Sequence, residues 1–164
     1  MHSIARHTLP LIIAAATAAG WASNPAPRFE DFRVAVQART ASAKLRLLTA
    51  QDKEYRTELA TAFREPVNFA GHHVLATIGC GASCILTAVI DTKTGTVAWL
   101  PFSTCCWPLA VNQPLDFRKD SKLLVLHGQR NEAGDAGPHY YQFIDGRFTE
   151  LRRSRLAPSG TGQP

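Results

Sequence analysis

The chain has 164 residues, 45% hydrophobic and 19% charged, with a formal net charge of +5. The positive excess includes Arg6, Arg147, Arg152, Arg153 and Arg155, and no basic helix or interleaved aromatic accompanies it, so nucleic-acid binding is set aside. Without a leader the chain keeps roughly 140 residues, enough for one domain that buries about two-thirds of its unfolded surface without help from disulfides.

One arginine in residues 1–7, the apolar run Leu9 to Gly20 and small residues around Trp21 and Ala22 predict a secretory signal, residues 1–22, cut after Ala22. The run is shorter than a membrane helix and carries Pro10, which argues against stable membrane insertion after cleavage, and with no cysteine before Cys80 a lipid anchor is not expected. Residues 23–48 form a lead-in, Pro-rich over Asn24 to Arg28; Phe29, Phe32 and Val36 then fit either a short helix or an extended segment docked on the core. A single α+β domain is expected over residues 49–156. Thr49 and Asp52 make a capping box, Tyr55, Leu59 and Phe63 form one apolar stripe, and Pro66 ends it, predicting the main helix over residues 50–64.

After Gly71 short β-rich runs alternate with turn residues: Val74–Ile78, Ile85–Ile90, Thr96–Leu100, Lys122–His127, Tyr140–Ile144 and Arg147–Leu151. They predict an antiparallel meander of about six strands, with Asp145-Gly146 as a tight turn placing both residues at positive φ and Thr94-Gly95 serving a longer one. Ile85–Ile90 and Leu123–Leu126 are almost continuously apolar, so both faces of those strands should be covered, one of them by the helix. Pro101–Pro114 and Gln129–Pro138 are long connections, the second expected to be a mobile surface loop, and residues 157–164 a disordered tail.

All four cysteines lie in two short segments, Gly79-Cys80-Gly81-Ala82-Ser83-Cys84 and Cys105-Cys106-Trp107. The hairpin between them brings both to one end of the sheet. In an oxidising compartment such cysteines are expected to form disulfides, leaving no free thiol. In the chain-entropy model Cys80 to Cys84 closes a loop worth about 2 kcal/mol and Cys80 to Cys105 one worth about 3.5 kcal/mol, which favours cross-loop bridges. The local pairing would leave Cys105 and Cys106 as a strained vicinal bridge or as two free thiols.

Metal and catalytic patterns are weak. A zinc site from these cysteines with His72 or His73 has no standard finger or ribbon spacing, and two successive residues at a strand start should point to opposite faces. No thioredoxin-like Cys-x-x-Cys is present. Ser83, Ser103 and Ser121 coexist with His72, His73, His127 and His139, but there is no Gly-x-Ser-x-Gly elbow. Asp91, Asp116 and Asp120 read as turn residues. No metal, cofactor or catalytic residue is assigned from sequence.

Asn68-Phe69-Ala70-Gly71-His72, Gly79-Cys80-Gly81-x-x-Cys84, Val89-Ile90-Asp91-x-x-x-Gly95 and Asp120-Ser121-x-Leu123-Leu124 stand in fixed order over residues 55–151. In these motifs the chain resembles a group of small uncharacterised exported proteobacterial proteins, which implies export and lends no activity or substrate. A cysteine-bounded loop between two strands also resembles, in architecture, periplasmic inhibitors of vertebrate lysozyme, although Gly81, Ala82 and Ser83 are small and neutral where those loops are charged and carry a histidine.

Together these features predict a periplasmic or secreted protein that binds or inhibits another periplasmic or envelope protein. The expected surface comprises Gly79, Cys80, Gly81, Ala82, Ser83, Cys84 and Trp107, with His72 and His73 beside it. A hydrolase using His72 or His73 next to the cysteine loops, and an envelope structural protein, are the alternatives.

Overall fold

Strand pairing starts from one long hairpin. In the computed structural model, which describes residues 25–39 and 43–151, β1 (His73–Gly81) pairs antiparallel with β2 (Cys84–Asp91), from His73 opposite Asp91 to Gly79 opposite Ile85. The predicted signal segment and C-terminal tail lie outside the described residues. The second edge of β2 is shared: β3 (Val97–Trp99) pairs with Ala88 to Ile90, and β4 (Thr104–Cys105) with Cys84 and Ile85. A second sheet runs in the order β5 (Leu115–Phe117), β6 (Leu123–Leu126), β8 (His139–Ile144), β9 (Arg147–Leu151), while β7 (Gln129–Arg130) returns to the first sheet against β4.

Every strand anticipated from the sequence is present, but the single six-stranded meander is not. Among the described residues nine strands divide between two antiparallel sheets, a mixed architecture with little helix. The unforeseen strands β4, β5 and β7 are two or three residues long, too short to show alternation. Two of them correct the reading of the long connections: β4 lies inside Pro101–Pro114, and Gln129–Pro138, expected to be mobile, begins with β7. Asp145 and Gly146 turn β8 into β9 at φ 48° and 74°, as the tight-turn pair requires.

Alternation along each strand sorts the side chains into layers. Leu75 and Val89 of the first sheet and Leu124, Leu126, Tyr141 and Phe143 of the second bury one core between the sheets. Ala88 and Ile90 point the other way, onto Leu59, Tyr55 and Phe63 of the helical segment. Leu123, Val125 and Tyr140 form the outer face of the second sheet, and Phe29 and Phe32 cover it. The continuously apolar strands are thus covered on both faces, though the second sheet and the lead-in supply covers that periodicity could not name. Phe29–Phe32 is a 3₁₀ helix, and the lead-in after it is extended, with Val34 N–H bonded to Asp120 O (2.9 Å) and Gln37 N–H to Gly71 O (2.8 Å).

The predicted helix is present as two pieces, α1 (Ala50–Glu54) and α2 (Arg56–Ala62), divided at Tyr55. The capping box forms: Thr49 Oγ1 accepts from Asp52 N–H at 3.0 Å, and Asp52 Oδ2 accepts from Thr49 N–H at 2.8 Å and Leu48 N–H at 2.9 Å. Asp52 is buried, and its other oxygen accepts from Trp99 Nε1–H at 2.8 Å, so the helix cap is also a tie to β3.

Burial alone would raise the Asp52 carboxyl, but the N–H donors of Trp99, Thr49 and Leu48 outweigh it and hold the group below the usual carboxylate range. A depressed carboxylate contributes stability that is complete above its unfolded value, about pH 4, and is lost as pH falls through the lower folded value. Acid titration of unfolding free energy should therefore show a loss below about pH 4 that Asp52→Asn flattens. Leu59→Ala, at a fully buried position, should cost about 2–5 kcal/mol by denaturant melts. Unchanged midpoints would place the helix wrongly.

Candidate functional site

The β1–β2 hairpin carries a distinct group of residues at each end. At the turn end the register shifts between Gly79 and Gly81, and Cys80 is bonded to Cys84 across Cα atoms 5.1 Å apart. Gly79, Cys80, Gly81, Ala82 and Ser83 are all exposed. Gly81 sits at φ 141°, which a side chain would resist. Register places Cys84 directly opposite Cys105, so the two cysteine segments do meet at one sheet end. The bridge is nevertheless local. Cys105 is buried and unbonded and Cys106 is exposed and unbonded, which corrects the expectation of cross-loop bridges and of a chain without free thiols.

Cys106, at φ 55°, shares a side-chain hydrogen bond with Cys105 that pushes its thiol above the ordinary cysteine range, the opposite of what a reactive thiolate needs. Trp107 is half-buried, and Leu109 beyond it is fully exposed.

At the other end the chain enters β1 through a tight turn. Ala70 (φ 43°) and Gly71 (φ 84°) reverse the backbone, and His72 belongs to this turn rather than to the strand. The expected divergence of His72 and His73 therefore fails, since alternation applies only to extended backbone. Their rings lie 4.1 Å apart between centroids, and His72 Nε2 stands 3.7 Å from Asp91 Oδ1. The donor atoms of His72, His73 and Asp91 all fall within 4.8 Å of one another.

These three residues line a cleft of about 460 Å³ between the sheets, with Val89, Ala98 and Phe143 as apolar wall and Arg46, Lys122 and Asp145 as further charges. His73 Nδ1 lies 3.0 Å from Ala70 O, and its ring meets Phe143 edge to face at 5.0 Å. Burial holds His73 below the ordinary histidine range, with a smaller contribution from His72; burial also lowers His72, helped by Lys93 and Lys122 and opposed by Asp91. Burial pushes Asp91 up, but N–H groups of Lys93 (2.7 Å) and Thr94 (3.3 Å) bring it below the usual carboxylate range. The cleft thus presents two neutral imidazoles beside a carboxylate at neutral pH.

The structure separates what the sequence reading had joined. His73 and Gly81 stand at opposite ends of β1, about 25 Å apart at strand rise, so the histidines lie neither beside the cysteine loops nor within reach of a shared cysteine–histidine zinc site. Asp91, Lys122 and Arg46 were missed. Asp91 was recoverable, because pairing the hairpin from its turn sets it opposite His73. The other described histidines are engaged elsewhere: His127 pairs with Asp116 at 3.0 Å, and His139 Nε2 lies 3.1 Å from Asp135 O. Among the described residues no helix is long and apolar enough to cross a membrane.

Comparison of the chain with protein families, curated proteins and solved structures gave no match.

Alkylation followed by intact mass tests the cysteine assignment. Native protein should take up one iodoacetamide group at Cys106, unfolded non-reduced protein two, and reduced protein four. Uptake of none before reduction, even when unfolded, would contradict the two free thiols and show Cys105 and Cys106 bridged, to each other or across the loops.

Proposed function

We propose that the protein is exported to the periplasm or beyond and there binds or inhibits another protein through the turn end of the β1–β2 hairpin. The observation that supports this reading is the exposure of Gly79 to Ser83 as one block, crosslinked by Cys80–Cys84 at its base. A preorganised loop loses little conformational entropy on docking. A Cβ placed on Gly79 or Gly81 would meet nothing within 4 Å, so these glycines do not serve internal packing; they leave bare backbone for close approach by a partner. Trp107, two residues beyond the Cys105 that faces Cys84, and the fully exposed Leu109 supply apolar contact beside that tip.

A hydrolase is the second reading, favoured by the cleft around His72 and His73. Among the described residues no hydroxyl is hydrogen-bonded to either imidazole, and those of Thr94 and Thr96 lie 2.9 Å apart, bonded to each other, so the cleft shows no activated side-chain nucleophile.

The partner should be recovered by crosslinking from a photoreactive residue at the exposed position 83, and Ala82→Arg and Trp107→Ala should each abolish that capture while leaving the melting temperature nearly unchanged. His72→Gln should not affect it. Capture that survives both loop changes, together with a hydrolytic activity that vanishes with His72→Gln, would replace the binding reading with the second one.

A further inference from the structure

We infer that His72, His73 and Asp91 form a binding site for a divalent transition-metal ion of the zinc class, at the end of the hairpin opposite the cysteine loop. Two imidazoles and one carboxylate are a donor set that suits zinc, iron or nickel and leaves magnesium and calcium poorly served, since those prefer oxygen throughout. Ligands of a tetrahedral zinc ion at about 2.0–2.1 Å stand about 3.4 Å apart. His72 Nε2 and Asp91 Oδ1 are already 3.7 Å apart, and the whole donor set lies within 4.8 Å, so modest side-chain rotation closes it around an ion.

The surroundings hold the ligands in place. His73 Nδ1 is engaged by the Ala70 carbonyl at 3.0 Å, which selects the tautomer with its proton on Nδ1 and leaves the Nε2 lone pair free for a metal, a backbone version of the outer-shell contact that orients ligating histidines. Phe143 fixes the plane of the same ring from its edge. Asp91 is held by the backbone N–H groups of Lys93 and Thr94, both on Oδ1, which fixes the carboxylate beside His72 Nε2. All three ligands come from the rigid hairpin and its preceding turn, because register places His73 opposite Asp91. Three protein ligands leave at least one coordination position open toward the cleft, where Arg46 and Lys122 are placed to receive an anion.

The test is calorimetric titration of untagged protein with zinc chloride. A Cys105→Ser/Cys106→Ser background prevents the unbonded thiols from binding the ion. One zinc per chain is expected, no magnesium, and a loss of affinity of about 10-fold or more for each of His72→Gln, His73→Gln and Asp91→Asn. Because His73 also packs against Phe143, its ligation is read independently on the unsubstituted histidine, from the zinc-induced shift of its Nε2 in nitrogen-15 spectra. Absence of stoichiometric binding, retention of affinity in the folded His72 or Asp91 variant, or an unmoved His73 Nε2 signal would overturn the site.

Discussion

Both sheets and the cleft depend on the turn Asn68 to His73, in which a fully buried aromatic is locked by a doubly bonded amide side chain. Phe69 has no exposed surface and touches the rings of Phe117, Phe143 and Phe148 at centroid distances of 6.2, 5.6 and 6.4 Å, so one side chain from the entrance to the first sheet fills the core of the second. Burying it is worth about 1.5–3 kcal/mol before packing is counted. Asn68 Oδ1 accepts from Leu75 N–H at 2.7 Å, and Asn68 Nδ2–H donates to Leu75 O at 3.0 Å, so the segment before the turn mimics a neighbouring strand. Ala70 N–H reaches Ser121 O (3.2 Å), Gly71 N–H reaches Lys119 O (2.7 Å), and Gln37 N–H comes back to Gly71 O. Four chain segments meet there. A Cβ on Gly71 would stand 2.7 Å from Ala35 O, which makes glycine the residue this crossing admits.

That crossing also explains why the two groups of chemically distinct residues are kept apart. The turn fixes the histidines at the start of β1, and the strand then carries the chain the full length of the sheet before Cys80. The cysteine end is small, exposed and covalently pinned, while the histidine end lies in a cleft with an apolar wall and charged groups around it. The proposed recognition surface and the proposed ion site make different physical demands, and the hairpin keeps the two at opposite ends.

Much of this was legible in the residues. The capping box at Thr49 and Asp52, the stripe through Leu59, the six anticipated strands and the Asp145-Gly146 turn each rest on local chemistry that acts within a few residues. What escaped depends on longer range. The split into two sheets follows from β2 sharing one edge between β3 and β4, and a two-residue strand has no periodicity to read. The disulfide choice was misjudged because loop-closure entropy favours the longer bridge, whereas the register bulge sets Cys80 against Cys84. The histidine pair was misjudged because Ala70 adopts positive φ without being glycine, and the strand rule was applied one residue too early.

Hydrogen exchange in Asn68→Ala tests most directly whether the turn holds as one cooperative unit. If it does, the amides of Ala70, Gly71 and Leu75, which bond to Ser121, Lys119 and Asn68 in the wild type, should lose protection together and by the same factor. Loss confined to Leu75, with Ala70 and Gly71 as protected as before, would contradict it and leave Phe69 burial alone as the tie between the sheets.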